Sequence, residues 1–156
     1  MKNIKYVTTF ILLAFCFSSC TIEDDDNDGD PVEELSTDPL MGQVYGENFT
    51  VVGGTSRFLS LNGEDVIRVL LYDVQVDCTN NESSIISINL PRQIGIHEAG
   101  VTGSINDPNS TSFQSLINFK VEVVSFNNTE VTARVLIDRP SINSFVNGTF
   151  TVPFCM

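Results

Sequence analysis

The sequence predicts an all-β fold: a single antiparallel β-sandwich or barrel-like domain of about eight strands over residues 41–156, behind an export segment and an acidic linker. Three observations carry that expectation. From Met41 onward, short apolar runs alternate with clusters of Gly, Asn, Asp, Ser and Pro at the spacing of a sandwich or barrel. No window long enough for a helix sustains a helical apolar period. Two segments alternate with a period of two, namely Ile117, Phe119, Val121 and Val123 with Asn118, Lys120 and Glu122 between them, and Val131, Ala133, Val135 and Ile137 against Thr132, Arg134 and Leu136.

The elements follow in chain order. Met1–Lys5 carries Lys2 and Lys5 and no acid, and Tyr6–Phe17 is almost wholly apolar. An apolar run this short falls well below the ~20 residues a membrane-crossing helix needs, so residues 1–19 read as a secretory signal. Its end, Phe17-Ser18-Ser19-Cys20, resembles the lipobox of bacterial lipoproteins, with small residues before the cysteine and Phe17 where Leu is usual. The resemblance implies cleavage before Cys20 and acylation of its thiol. One acyl chain holds a protein only marginally, whereas several hold it stably, so membrane lipid is the expected partner of Cys20.

Residues 20–40 read as the lipidated cysteine and a disordered acidic linker. Thr21–Asp38 holds nine acids and no base, a block that repels itself and has too little apolar surface to order. Fully extended, about twenty residues span at most ~70 Å. Glu23-Asp24-Asp25-Asp26 directly after the cysteine resembles the export signal of Bacteroidetes-type surface lipoproteins. That implies an outer-membrane location facing the cell exterior, with the periplasmic face as the alternative. Asp24, Asp26 and Asp28, with Gly29, also match the opening of an EF-hand loop and are the candidate calcium ligands. The loop's twelfth position is Leu35 rather than Glu, and Pro31 interrupts it, so a solvated tether is the expected state and no metal or cofactor is assigned.

Strands are expected at Gln43–Val52, Arg57–Leu61, Val66–Asp77, Ser84–Leu90, Gly95–Ala99, Ile117–Phe126, Glu130–Asp138 and Val146–Phe154. Ile117–Phe126 and Glu130–Asp138 each have one dry face, and in a hairpin those faces must coincide, because a one-residue slip turns a strand over. A two-residue turn at Asn127-Asn128 pairs odd with even positions. A three-residue loop, Phe126-Asn127-Asn128, restores the match and sets Val123 opposite Val131 and Val121 opposite Ala133. Tyr72, Val74 and Val76 continue the dry face of their strand. Pro153 has no N–H for a ladder, so the last strand lies at an edge or ends there.

Four cysteines are present. With Cys16 lost in the signal and Cys20 acylated, Cys78 and Cys155 remain, in a compartment that permits disulfides. They are expected to form one bridge, the alternative being two free thiols. The chain's acidity, a formal net charge of -12, excludes ordinary nucleic-acid binding, which draws its affinity from Lys and Arg. His97 is the only histidine and so the only imidazole base. It sits on a short strand near a turn and is expected to be exposed or locally hydrogen-bonded. No GxSxG, HExxH or phosphate-cradling glycine loop occurs. No catalytic residue is assigned.

The domain as a whole resembles the small C-terminal domains of Bacteroidetes-type surface lipoproteins. The features shared are Gly42-x-Val44-x-Gly46, Asp77-Cys78 after a long strand, Leu90-Pro91 followed by Gly95, and Asn147-Gly148-Thr149-Phe150 before Cys155. The resemblance implies fold and location and no chemistry. The expected function is a non-catalytic, membrane-anchored binding or accessory module with a protein or glycan partner. The loops Thr79–Ser83 and Gly103–Ser112, rich in Asn and Ser, are its expected contact points. A carbohydrate-binding module is the alternative, though no Trp is present and only Tyr45 and Tyr72 follow Cys20. A hydrolase with a carboxylate pair is the third reading, since such pairs assemble in space and leave no linear signature.

Overall fold

A computed structural model describes residues 34–79 and 83–155. The signal, Cys20 and the calcium candidates Asp24, Asp26 and Asp28 lie outside the described residues. Eleven strands form two antiparallel sheets, which face each other as a sandwich and do not close into a barrel. One sheet has the order β2-β1-β11-β10-β9-β6 and the other β3-β4-β5-β7-β8. Among the described residues no helix is long and apolar enough to cross a membrane.

Strand β1 (Met41–Val44) and β2 (Glu47–Thr50) replace the single strand expected over Gln43–Val52. Tyr45 and Gly46 both have positive φ, 51° and 81°, the conformation of a tight hairpin turn. The folded unit also starts before residue 41. Leu40 is 1 % exposed within the core, its N–H donates to Thr149 O at 2.9 Å, and Pro39 bridges Thr149. Gly148 permits that crossing, because a Cβ there would lie 2.6 Å from Leu40 Cα.

Strand β3 (Gly53–Leu61) turns through Asn62-Gly63, again with two positive φ values, into β4 (Glu64–Tyr72). The alternation expected to run on to Asp77 stops at Tyr72. Beyond it the chain leaves the sheet and folds against Gly53, where a Cβ would meet Val74 O at 2.5 Å; Val74 is consequently 46 % exposed. Strands β5 (Ile86–Pro91) and β6 (Gly95–His97) fall where expected.

Two strands had no expected counterpart: β7 (Thr102–Asn106) and β8 (Phe113–Ile117). Their residues, Thr-Gly-Ser-Ile-Asn and Phe-Gln-Ser-Leu-Ile, contain one buried apolar side chain each, Ile105 and Leu116, too little to signal a strand. The segment expected as one strand over Ile117–Phe126 is cut by Asn118 (φ 51°). Ile117 ends β8 in one sheet, and β9 (Lys120–Phe126) begins in the other.

The hairpin of β9 and β10 (Glu130–Arg139) obeys the expected rule by a different device. Phe126 pairs with Val131 and Ser125 with Thr132, the odd-with-even register. A bulge then leaves Val124 without a partner, so that Ala133 faces Val123 and Val135 faces Val121. The expected pairs Val123–Val131 and Val121–Ala133 are therefore each off by two residues, while the dry faces do coincide. The turn is closed by Asn127, whose Oδ1 accepts from Thr129 N, Thr129 Oγ1 and Glu130 N at 2.7–3.0 Å. That short-range cap outcompetes the three-residue loop. After a 3-10 turn (Pro140–Ile142), β11 (Ser144–Pro153) ends at the proline.

Ile67, Val69 and Leu71 of β4 and Ile86, Ile88 and Leu90 of β5 supply one half of the core. The alternating residues of β9, β10 and β11 supply the other. Tyr72 is buried, as expected.

Candidate functional site

The described end of one loop singled out from sequence, Ser83, lines a cleft with the other loop. At the end of the five-stranded sheet where β4 and β7 finish and β5 and β8 begin, Asp73, Ser83, Asn106, Asp107, Ser110 and Ser112 line a cleft of about 480 Å³. A hollow of about 280 Å³ shares Asp73, Ile85 and Pro108 with it and reaches Glu47 and Asn48 at the β1–β2 turn. Of the expected loop Thr79–Ser83, Ser83 lies in the cleft, and residues 80–82 lie outside the described residues. Of the expected loop Gly103–Ser112, the first four residues belong to β7 and the rest form the cleft rim.

That rim is organised by one carboxylate. Asp107 Oδ1 accepts Asn109 N–H and its Oδ2 accepts the Ser110 hydroxyl, both at 2.8 Å; Asp107 N–H donates to Ser112 O at 2.9 Å. Pro108 presets the backbone one residue on. Asn106 joins the rim to the facing segment: its side-chain amide donates to Ser84 O, and its backbone N–H to Ile85 O at 2.8 Å. The cleft is thus a preformed polar surface carrying two acids, Asp73 and Asp107. Sequence reasoning missed Asp73, which it placed on the wet face of a strand that has already ended.

A second concavity, about 550 Å³, lies at the opposite end of the same sheet and includes Asp65, Asn89, Arg92 and His97. His97 Nε2 is 2.9 Å from Gln93 O, a local contact within the β5–β6 connection. The Arg92 guanidinium lies 4.4 Å over the Phe58 ring, whose other neighbour is the Phe154 ring, also at 4.4 Å. Between these two neighbours Phe58 stays 41 % exposed.

Cys78 and Cys155 are bonded, with Cα atoms 5.3 Å apart. The bridge fastens the C-terminal segment alongside β3, where Cys155 N–H donates to Ser56 O at 2.7 Å and the Ser56 hydroxyl to Pro153 O at 2.9 Å. Next to it, the Thr79 hydroxyl and then the Thr79 N–H hydrogen-bond Asp77 and hold its carboxyl below the ordinary 3.8. Among the described residues no group of three or more His, Cys, Asp or Glu is placed to hold a metal ion.

Comparison with known proteins adds nothing to this geometry: no family model, no curated protein and no solved structure matches the chain.

Proposed function

We propose that this chain is a lipid-anchored, non-catalytic binding module of the cell envelope, carried on the outer membrane by acylated Cys20 and facing the cell exterior. Its domain would capture a protein partner in the cleft between β4–β5 and β7–β8. One observation supports the reading most: Ser83 and the loop 107–112, about twenty-five residues apart in sequence, line one cleft. The acidic segment after Cys20 suits a tether that spaces the domain from the lipid.

The anchor and the cleft are tested separately. Cys20→Ala should move the protein from the membrane pellet to the soluble fraction, and protease digestion of intact cells reports which side it faces. For the cleft, full-length protein is used to pull partners from detergent-solubilised envelope. A stoichiometric partner that is lost with Ser83→Arg and Ser112→Arg, two exposed cleft positions, supports the reading. A partner retained by both variants removes the cleft from it.

One observation favours a glycan as a second reading. Phe113 is 65 % exposed and pairs with cleft residue Asn106, so an open aromatic face stands beside polar groups. Glycan-array binding that is abolished by Phe113→Ala would move the assignment from protein to carbohydrate.

A further inference from the structure

Four strands lie at sheet edges, and three of them are protected in ways that discourage pairing with another chain. The C-terminal segment lies along β3, bridging Ser56 through Phe154 and fixed by the disulfide. Strand β6 is three residues long and is followed by Glu98, ion-paired to Lys120 at 3.7 Å. Strand β2 is four residues long and contains the charged Glu47, and the chain just past it is tied down by Val51 N–H donating to Leu40 O at 3.0 Å.

Among the described residues no segment lies along β8, whose edge carries the Arg139 guanidinium on Ile117 O. Its five residues, Phe-Gln-Ser-Leu-Ile, include no charge, proline or glycine. Its partner β7 covers one side only, so every second residue points its backbone N–H and C=O away from the sheet. Phe113, Ser115 and Ile117 share its outer face, and the two large side chains are 65 % and 62 % exposed.

We propose that β8 pairs antiparallel with β8 of a second copy of this chain, about a two-fold axis at Ser115, joining the two five-stranded sheets into one. The strand is self-complementary in that register. Phe113 of each copy meets Ile117 of the other on the outer face, an aromatic against a β-branched residue, the type of cross-strand pair that stabilises sheets. Gln114 meets Leu116 on the inner face, and no like charges oppose each other. The flanking charges are complementary. At the Ile117 end the Arg139 guanidinium donates to Ile117 O at 2.8 Å, and at the Phe113 end stands the Asp107 loop. Antiparallel pairing brings the Arg139 end of one copy to the Asp107 end of the other. This inference is independent of the protein-partner reading, whose test substitutions Ser83→Arg and Ser112→Arg lie outside β8; Phe113→Ala, the glycan test, lies within β8 and is not used here.

The test is cross-linking of the full chain carrying Ser115→Cys under mild oxidation, read by mass spectrometry as the tryptic peptide 93–120 joined to itself. Ser60→Cys, exposed on the other edge strand of the same sheet, is the control. Self-linked peptide at least tenfold above the control's own homodimeric peptide is expected, falling to control level when Ile117→Lys is added, a variant in which trypsin also cuts after residue 117 and the self-linked peptide is therefore sought as 93–117. The Ile117 side chain is exposed, so the added lysine leaves the thermal midpoint within a few degrees. Self-linking no greater than the control, or unaffected by Ile117→Lys, overturns the proposal. So does a lysine variant that stays folded and cross-links normally.

Discussion

Opening the Cys78–Cys155 bridge should lower stability substantially without dismantling the native contacts around it. The cysteines are 77 residues apart. Releasing a loop of that length returns ~15 cal/mol/K of chain entropy to the unfolded state, or ~4.5 kcal/mol at 25 °C. The native state loses little in exchange, because Cys155 N–H remains bonded to Ser56 O, the Ser56 hydroxyl to Pro153 O, and Phe154 remains stacked on Phe58. For a folded unit of roughly 120 residues, an unfolding entropy of ~0.25 kcal/mol/K converts the loss to a fall of up to ~18 °C in thermal midpoint. Calorimetry with and without reductant, beside the double variant Cys78→Ala/Cys155→Ala, measures it. The double variant should melt where the reduced protein melts and ignore reductant. A fall of less than ~5 °C would refute the reasoning, since the bridge would then be constraining an unfolded chain that is already compact.

Three further outcomes follow from the packing and the turns. Deleting Val124 removes the bulge but leaves Val123 opposite Ala133 and Val121 opposite Val135, so the dry faces still coincide; a cooperative thermal transition should remain, and its loss would refute the assigned register. Ile88→Ala, at a fully buried site facing Val69, should cost about 2–5 kcal/mol by denaturant unfolding with an unchanged slope. Asp77 has a folded pKa below its ordinary value, so its contribution to stability is present above about pH 4 and is lost as pH falls through the lowered value. Thr79→Ala should bring the Asp77 titration, followed by NMR, back up toward 3.8.

The two halves of the chain were unequally legible. Strands β9, β10 and β11 read out in sequence because each lays one face on the core and one in solvent, and alternation records that directly. Strands β7 and β8 did not, because Gly103 and Gln114 stand at inward positions and leave only Ile105 and Leu116 to mark the dry face. The β1–β2 hairpin was hidden by Tyr45, whose positive φ is uncommon for an aromatic residue. For the cleft, composition pointed to both loops but to neither Asp73 nor Glu47. These two reach it only because β4 stops at Tyr72 and because the β1–β2 turn lies at that end of the sandwich.

By itself the sequence determined the class of fold, the dry faces of β9, β10 and β11, and a balance of six bases against eleven acids after residue 38. These are properties of local pattern and of counting. Tertiary structure alone decided the register of the β9–β10 hairpin, the start of the folded unit before Leu40, the placing of Ser83 beside the Asp107 loop, and which sheet edge no other described strand covers. Most of these depend on which distant segments come into contact: β10 taking β9 as its neighbour, Gly148 admitting Leu40, the disulfide laying the C-terminus along β3. The energy of such contacts belongs to pairs of residues far apart in the chain, and periodicity along the chain does not record it.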